Sequence, residues 1–488
     1  MEESEQKKNQ PGVTGAFGWK LLERFGVQGV QFLLQIVLAR ILDPEHYGML
    51  SIMVIFTTLA NVFIQTGFNT ALVQNKDVTE EDYSSVLWVT LAVAAVLYGV
   101  IYFCAPLIGA FYEMPELTAP LRVLALILFP GAVNSVQIAR ASRELDFKKI
   151  FYGNIGGVVI SGLIGIAAAY MGCGLWALVI QSLLNIVAAT VVMGFTVKLQ
   201  LRLVCNFSRI RQLFAFGWKL LVSGLLDTLY QDLRSLVIGK KYDSSTLAYY
   251  NRGKQFPQFM INAINGAVQS VMLPVLSARQ DQKGTMKSLT RQSIVVSAYV
   301  LFPLMAGLAG VAEPMVTLLL TEKWLPCVPY LQIYCFSLAF YPVHSCNLQA
   351  INAMGRSDIF LKLELIKKGY GLAALVVAVV CFDSPLAIAM TGVFTTVISC
   401  FVNAFPNKKL IGYSYFEQMK DILPSFLASI IMCGCVLLIG QLKLPVAALL
   451  LIQVLAGVAV YVLLSVVMKL EAFRLLLNML RSRMSQNH

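Results

Sequence analysis

The feature that most constrains this chain is a series of apolar runs, each about 20 residues long, that follow one another almost without a break. They extend from Phe17 to Met468, and the links between them are too short for a soluble domain. Only 13% of the 488 residues are charged, about half the fraction typical of soluble domains. Lipid is therefore the solvent for most of the surface, and the sequence predicts an all-α polytopic membrane protein.

The positions of the runs predict about fourteen transmembrane helices. With both termini inside, inner links and tails carry 24 of the 38 Lys and Arg residues, whereas outer links carry 6. This bias predicts cytoplasmic termini. It also indicates that most of the basic residues behind the net charge of +12 orient the chain in the membrane and do not bind nucleic acid. No small-residue cleavage site follows the first run, so we expect that run to be retained. The expected centres lie near residues 28, 58, 98, 130, 160, 185, 225, 262, 305, 340, 372, 395, 430 and 456.

The chain contains an internal repeat. The hexapeptide Phe-Gly-Trp-Lys-Leu-Leu at residues 17–22 recurs at residues 216–221. Six predicted spans separate the copies, and an even number gives two halves of the same orientation, related by an axis along the membrane normal. Later matches keep the same order at slowly increasing offsets: Asn61 and Gln65 with Asn265 and Gln269, then Pro130, Gln137, Ala141 and Asp146 with Pro342, Gln349, Ala353 and Asp358.

The repeat defines the expected domains, which are two six-helix lobes around a central cavity, followed by two further helices. The predicted boundaries are a cytoplasmic tail (1–16), an N-terminal lobe (17–197), a cytoplasmic linker (198–215), a C-terminal lobe (216–410), two extra spans (411–468) and a basic amphipathic cytoplasmic tail (469–488).

Polar side chains at helical spacing mark the first span of each half and the span after it. They form a stripe on the first span, an equivalent stripe on the seventh and a polar face on the eighth. Stripes on symmetry-related helices are expected at the repeat interface, where transporters bind substrate. The stripes comprise Lys20, Arg24, Gln28, Gln31 and Gln35; Lys219, Ser223, Asp227, Tyr230 and Arg234; and Asn251, Gln255, Gln258, Asn262, Asn265 and Gln269, with Arg252 and Lys254 beside the last.

Basic members of these stripes outnumber the acidic ones, so the cavity is expected to attract an anion. Charged side chains deep in a span are costly to insert and mark function or pairing. Two structural alternatives remain open, namely salt bridges from Asp227 or Asp232 and amide hydrogen bonds between helices. The candidate substrate-binding residues are Arg24, Arg252, Lys254, Lys20, Lys219, Arg234, Gln28, Gln31, Asn262 and Gln269, and the candidates for coupling to a cation are Asp227 and Asp232.

Small residues at four-residue spacing follow one face of the fifth span, from Gly153 to Ala169. Such a face lets a second helix approach closely, and we expect that helix to belong to the same chain. The scattered histidines and the cysteines, most of them within apolar runs, predict no metal site, and the chain has no P-loop. We expect no cofactor and no direct use of ATP.

Two segments resemble a known family. Residues 38–48, Leu-Ala-Arg-Ile-Leu-Asp-Pro-Glu-His-Tyr-Gly, and residues 248–255, Ala-Tyr-Tyr-Asn-Arg-Gly-Lys-Gln, resemble the polysaccharide transporter family, which includes Wzx-type O-antigen and exopolysaccharide flippases and the colanic-acid exporter branch. The resemblance covers nearly the whole chain. It implies the fold of the multidrug/oligosaccharidyl-lipid/polysaccharide exporters and transport by alternating access.

The resemblance also implies a substrate class, an oligosaccharide linked to undecaprenyl diphosphate. Arg24 and Arg252 fall where family members are thought to hold anionic ligands, and the guanidinium fork suits phosphate oxygens. The implied pathway partners are a polysaccharide polymerase and glycosyltransferases. The implied location is the bacterial inner membrane.

Two other functions are compatible with parts of the sequence. A multidrug antiporter of the same superfamily would have an acidic, aromatic cavity for cations, which the basic stripes disfavour. A polyprenyl-dependent glycosyltransferase could use Asp43 and Glu45 as an acidic pair, but the outer links are too short to hold an acceptor. We therefore expect a transporter and not an enzyme.

Overall fold

The computed structural model describes residues 26–65, 72–73, 78–197, 206–280 and 282–486. Within these residues the secondary structure consists of helices, including short 3-10 segments, joined by turns and short links, and no strand occurs. The helices of the first repeat are α1 (Gln28–Ile41), α2 (Pro44–Gln65), α3 (Glu80–Phe111), α4 (Thr118–Leu124), α5 (Leu128–Arg143), α6 (Phe147–Tyr170) and α7 (Leu175–Thr196).

Among the described residues the second repeat has eight helices against seven in the first, because the counterpart of α3 is divided into two helices. Its helices are α8 (Phe207–Lys241), α9 (Ser244–Ser277), α10 (Lys283–Gly310), α11 (Ala312–Leu320), α12 (Val328–Ala339), α13 (Tyr341–Ala353), α14 (Ser357–Cys381) and α15 (Pro385–Leu410). Beyond the repeat lie α16 (Tyr415–Ile439), α17 (Val446–Val467) and α18 (Glu471–Gln486).

Helix boundaries recur at nearly constant offsets, which supports the repeat found in the sequence. The break between α1 and α2, from Ile41 to Pro44, recurs 200 residues later between Lys241 and Ser244. The α5–α6 junction recurs 210 residues later between α13 and α14. The matched prolines, Pro130 and Pro342, lie in the first turns of α5 and α13.

Nine segments among the described residues are long and apolar enough to cross a membrane: α2, α3, Pro115–Arg143 (which includes α4 and α5), α6, α7, α10, α15, α16 and α17. The other predicted spans fall on α1, α8, α9, the α12–α13 junction and α14, which are shorter or more polar. The total of fourteen stays a prediction, whereas the all-α multi-pass architecture is confirmed.

Exposed apolar side chains identify the lipid-facing surface. On α17, Leu451, Leu455 and Val458 are each about 60% exposed, and on α3 Phe103 is 77% exposed. Contiguous apolar surface of this extent is rare on proteins that are surrounded by water. In a bilayer these side chains would contact the hydrocarbon core, which solvates apolar groups.

Helix starts are set by side chains that satisfy free backbone N–H groups. Thr79 and Asp82 form a reciprocal capping box at the start of α3, and Ser414 and Glu417 do the same for α16. The Asp146 carboxylate accepts from the backbone N–H of Lys149 at the start of α6. Such caps typically contribute about 1 kcal/mol each.

The chain divides into two compact units, with the boundary between Ala248 and Tyr249. In the first unit α6 packs along α7, α1 packs on α6, and α8 packs on α2. In the second unit α10 packs along α16, and α15 contacts α12, α13 and α14. The lobe and linker boundaries given above for the sequence stay predictions.

The small-residue face of α6 packs against α7 of the same chain, as expected. A Cβ added at Gly157 would lie 2.6 Å from the backbone oxygen of Asn185, and one at Gly153 would lie 2.3 Å from Met193. Between these helices the Asn185 side chain donates to Ser161 Oγ over 3.3 Å. The stripe is therefore a helix–helix contact within the first unit.

The glycines of the two family-like segments are sites of close backbone approach. A Cβ at Gly48 would stand 1.8 Å from the carbonyl oxygen of Ser244. A Cβ at Gly253 would stand 2.6 Å from the Cβ of Tyr330 and 2.9 Å from the carbonyl oxygen of Cys327. Any larger residue would force these elements apart, which explains glycine in both motifs.

Candidate functional site

The polar stripe of α8 is largely solvent- or lipid-accessible in the first unit. Lys219 and Asp227 are exposed, whereas Asp232 and Arg234 are partly buried. Gln231 lies one turn after Asp227 on the helix, and its amide donates to Asp227 Oδ2 over 2.7 Å. The helix thus presents cationic and anionic groups within the same apolar segment, where each carries a desolvation cost unless it is paired.

The polar face of α9 lies in the second unit from Tyr249 onward. Arg252 is 6% exposed, and its Nη1 donates to Gln255 Oε1 over 2.6 Å. The guanidinium lies 4.9 Å from the ring centroid of Trp324. Lys254 is partly buried beside it, and further along the helix Gln258 donates to Asn262 over 2.9 Å.

Arg252 belongs to an aromatic cluster at the start of α9. Tyr249 packs edge-on against Trp324, at 6.1 Å between centroids, and Tyr250 packs edge-on against Tyr330, at 5.9 Å. The hydroxyls of Tyr250 and Tyr334 form a hydrogen bond. The segment that resembles the family therefore fixes the start of α9 against the 3-10 segment Glu322–Cys327 and α12.

The first-span stripe is described only in part. Gln28 and Gln31 are exposed on α1, and α1 packs on α6 where Leu34 meets Gly162. Lys20 and Arg24 lie outside the described residues, as does the side chain of Gln269. The described stripe residues of α1 and α8 lie in the first unit, and those of α9 from Asn251 onward lie in the second. The cavity between lobes stays a prediction.

One ion pair on α14 was not singled out from the sequence. Lys367 Nζ lies 2.5 Å from Glu364 Oε1, with both side chains mostly buried. On the neighbouring helices His344 lies 3.4 Å from the Asn403 amide nitrogen. The sequence signal that could have identified this ion pair is the charged run from Lys362 to Lys368, which interrupts an otherwise apolar span.

An ion pair in the first unit joins the end of α8 to the turn after α3. Lys240, at the end of α8, lies 2.8 Å from Glu113 in the turn after α3 and 5.1 Å from the ring centroid of Phe111. The hydrogen bond from Lys240 holds the pKa of the Glu113 carboxyl below its usual value.

In the second unit, a three-way ionic contact joins the N-terminal parts of α10, α16 and α18. Arg291 donates to Asp421 over 2.9 Å and to Glu471 over 2.6 Å. The Tyr413 hydroxyl also donates to Asp421. The Arg291 hydrogen bond lowers the pKa of the Glu471 carboxyl. This contact fixes the start of the C-terminal amphipathic helix.

The described part of the chain contains no group of three or more His, Cys, Asp or Glu side chains placed to hold a metal ion. The arrangement provides polar and charged side chains on helices within an apolar fold.

Comparison with known proteins gives a family match and a fold match. A family model described as "Polysaccharide biosynthesis protein" matches residues 37–329. The succinoglycan biosynthesis transport protein ExoT of Rhizobium meliloti is 24% identical over 97% of each chain. The teichuronic acid biosynthesis protein TuaB of Bacillus subtilis is 25% identical over 84% of this chain and 86% of its own.

Among solved structures, the lipid II flippase MurJ in an inward closed conformation superposes with a TM-score of 0.72 at 15% identity, over 92% of this chain and 98% of its own. A multidrug resistance MATE family transporter in an inward-facing conformation gives 0.60 at 14% identity, over 80% and 98%. Both share the fold predicted from the sequence.

Proposed function

Because the chain belongs to the polysaccharide biosynthesis protein family, we propose that it is a flippase that carries a polyprenyl-diphosphate-linked oligosaccharide across the bacterial inner membrane. It acts by alternating access, without chemistry on the substrate and with both termini in the cytoplasm. The exported unit serves the synthesis of a surface polysaccharide, together with the polymerase and glycosyltransferases of its pathway.

The observation that carries the proposal is the placement of charged and amide side chains on α8 and α9 within a membrane fold. Lys219, Arg234, Arg252 and Lys254 are basic residues on these helices. A diphosphate is the anionic part of the proposed ligand, and desolvated charge-assisted hydrogen bonds contribute about 1.5–3 kcal/mol each. Neutral Gln and Asn side chains on the same helices suit sugar hydroxyls.

The relatives and the fold support this substrate class. ExoT and TuaB are named for the biosynthesis of two different polysaccharides, and MurJ is named as a flippase of a lipid. A flippase of a lipid-linked glycan unit would combine the polysaccharide biosynthesis named for the relatives with the flippase fold. Within the proposal, Arg24 and Arg252 bind the diphosphate, with Lys20, Lys219, Arg234, Lys254, Gln28, Gln31, Asn262 and Gln269 lining the cavity.

A cation gradient is proposed to drive the cycle through Asp227 or Asp232 on α8. A carboxylate within a span changes charge when it binds a cation or a proton, and that change alters the cost of each conformation. The Asp227→Asn/Asp232→Asn variant should reach the membrane in normal amount and export without dependence on the gradient. Unchanged gradient dependence would remove both residues from the mechanism.

The alternative is a multidrug antiporter, which the MATE fold match brings into consideration. The basic residues on α8 and α9 disfavour it, because they would repel the cations that such a transporter exports. Export of a cationic dye by purified protein in vesicles, with no transport of a lipid-linked glycan, would favour the alternative. Hydrolysis or transfer of the glycan would instead indicate an enzyme.

The central test uses a strain that lacks the chromosomal copy of the gene. Arg24→Ala and Lys254→Ala should each block polysaccharide export at normal protein level, and lipid-linked oligosaccharide should accumulate in the inner leaflet. Each loss should weaken binding roughly ten- to a hundredfold. The matched control is Lys443→Ala, in an exposed link outside the stripes, which should export normally. Normal export by the first two variants would refute the assignment.

A further inference from the structure

The ion pair on α14 places two charges inside a predicted span of the second unit. Lys367 Nζ lies 2.5 Å from Glu364 Oε1, and the two side chains are 16% and 30% exposed. Each charge is costly to insert into a membrane, and pairing lowers that cost without removing it. Such a pair is retained in an apolar helix because the packing requires it or because it has a function.

The internal repeat relates this position to an uncharged one in the first unit. Helices α14 and α15 begin 210 residues after α6 and α7, respectively. At that offset Asn154 and Gly157 occupy the places of Glu364 and Lys367. Gly157 lets α6 and α7 approach closely. The same pair of helices therefore forms without the two charges, and packing does not account for them.

The face of α15 beside the ion pair is polar. The Tyr370 hydroxyl of α14 donates to the backbone oxygen of Thr395 over 3.3 Å and forms a hydrogen bond with Ser399. These two residues belong to a stripe with a polar side chain at every fourth position, which rises about 24 Å along the helix. The stripe consists of Thr391, Thr395, Ser399, Asn403 and Asn407.

In the first unit the corresponding part of α7 is apolar. The positions equivalent to the last three residues of the stripe are occupied by the buried side chains of Ala189, Met193 and Val197. One tertiary contact supports this register, because Asn134 lies 3.4 Å from Met193 and its equivalent, His344, lies 3.4 Å from Asn403. A dry helix contact in the first unit thus corresponds to a polar one in the second.

Two acceptors on the stripe suit ordered water. Asn403 Oδ1 and Asn407 Oδ1 are buried and accept no hydrogen bond from any described residue. The Asn407 amide nitrogen donates to Asn347 Oδ1 over 2.6 Å, which fixes the orientation of that amide. Buried polar atoms are normally satisfied by protein or by water. Water at these acceptors would connect the predicted inner end of α15 with the region of the ion pair.

The groups around the ion pair favour a proton over a metal cation as its ligand. The carboxylate interacts electrostatically with Tyr341, and the ammonium with His344. Glu364 is the only carboxyl group in this set, and two ammonium groups beside it would repel a metal cation. The other titratable groups on the three helices here are Tyr341 and His344 on α13, Lys367, Lys368 and Tyr370 on α14, and Cys400 on α15.

We propose that Glu364 is a proton-binding site of the second unit, with Lys367 as its counter-ion and the polar stripe of α15 as its connection to water. Proton uptake from water forms an O–H bond on the carboxylate and leaves the ammonium without its counter-ion. The net charge of the span then rises by one, which changes the cost of each conformation. This proton step rests on the proposed flippase function and is separate from Asp227 and Asp232 on α8.

The first test follows the carboxyl group directly, by infrared difference spectroscopy of purified full-length protein in lipid vesicles. The pH is lowered from about 8 to about 5, a range in which ordinary exposed carboxyl groups stay mostly ionised. Wild type should gain the C=O band of a protonated carboxyl group, and Glu364→Gln should lose that band. In Lys367→Met the carboxyl group lacks its counter-ion and should stay protonated throughout, so the band should not change with pH.

Two further variants test the route and the specificity. Ser399→Ala/Asn403→Met installs the residues of the first unit on α15, and it should slow deuterium exchange of the carboxyl band. The matched control is Glu113→Gln, which breaks the exposed ion pair with Lys240 and should keep the wild-type band. A wild-type band in Glu364→Gln would overturn the site, and unchanged exchange in the α15 variant would overturn the route.

The second test separates proton binding from a purely structural pair. Loss of one partner leaves an uncompensated charge and lowers folded protein, so Glu364→Gln/Lys367→Met removes both charges together. This variant should reach the membrane at wild-type level, and its transport of a lipid-linked oligosaccharide in vesicles should no longer depend on pH. Wild-type pH dependence in this variant would show a structural pair. Absence of transport by wild type would refute the flippase function, whereas the infrared result would still decide the proton site.

Discussion

At the residue scale, Arg252 is a proposed ligand-binding residue that also has a structural role, and the sequence could not separate these two roles. Its position on a polar face predicted ligand binding, whereas the structure places its guanidinium over Trp324, 72 residues away, with Gln255 as a hydrogen-bond partner. Periodicity reports which face a residue occupies but carries no information on a tertiary partner that lies so far along the chain. A desolvated cation–π contact contributes about 2 kcal/mol.

Substitutions at Arg252 should separate the two roles. Arg252→Lys keeps a cation over Trp324 but loses the planar fork, so it should reach the membrane at normal level and export poorly. Arg252→Ala should lower both folded protein and export. Protein level is measured by fluorescence-detected size exclusion, and export by polymer at the cell surface. Full export by the lysine variant would leave Arg252 with a structural role alone.

At the element scale, sequence patterns predicted where the helices lie but not where a span is broken into shorter helices. The centres near residues 130 and 340 fall on spans assembled from shorter helices, α4 with α5 and α12 with α13. A hydropathy window averages over about 19 residues and passes over a local 3-10 turn. The small-residue face of α6 was predictable, because spacing alone defines it.

The α6–α7 contact predicts a contrast between two glycines. Gly157→Ala should destabilise the protein by about 1–3 kcal/mol, because its new methyl group meets the Asn185 carbonyl and Ala189. Gly99→Ala, on α3 with no atom within 4 Å of the new methyl, should be neutral or stabilising by up to about 1 kcal/mol. Melting temperatures in one detergent compare them directly, and equal shifts would contradict the packing.

The contact of Arg291 with Glu471 predicts how α18 is held. Glu471→Gln should expose α18 to limited proteolysis, whereas Arg474→Gln, one turn further on, should leave it protected. The Glu471 pKa is lowered, so the ion pair contributes fully above the unfolded value of about 4.3 and is lost as pH falls through the lower folded value. Cleavage should therefore stay constant from pH 8 to pH 5. Release within that range would contradict it.

At the scale of the whole molecule, the multi-pass all-α fold and its repeat followed from hydropathy, charge bias and the recurrence of short motifs. These signals are local or periodic, and the bilayer enforces them strongly. The candidate site was predictable only as a set of residue types on helix faces. The tertiary partners of those residues, such as Trp324 for Arg252, lie far along the chain, and no periodic signal encodes them.

The topology gives the prediction that belongs to this scale. In a cysteine-free background, single cysteines at 113, 172, 323 and 443 should react with an impermeant maleimide in intact cells. A cysteine at 145, in the link between α5 and α6, should react only after lysis. Labelling of position 145 from outside would contradict the predicted topology.

The three-way contact of Arg291 also limits when this part of the fold can form during synthesis of the chain. Its partners, Asp421 and Glu471, follow it by 130 and 180 residues. At about 5–20 residues per second, the ribosome delivers the second partner about 10 to 40 s after the arginine emerges. Asp421 emerges first and can pair with Arg291 before Glu471 is made. A chain truncated before residue 471 would therefore keep the contact between α10 and α16 and lack the one that fixes α18.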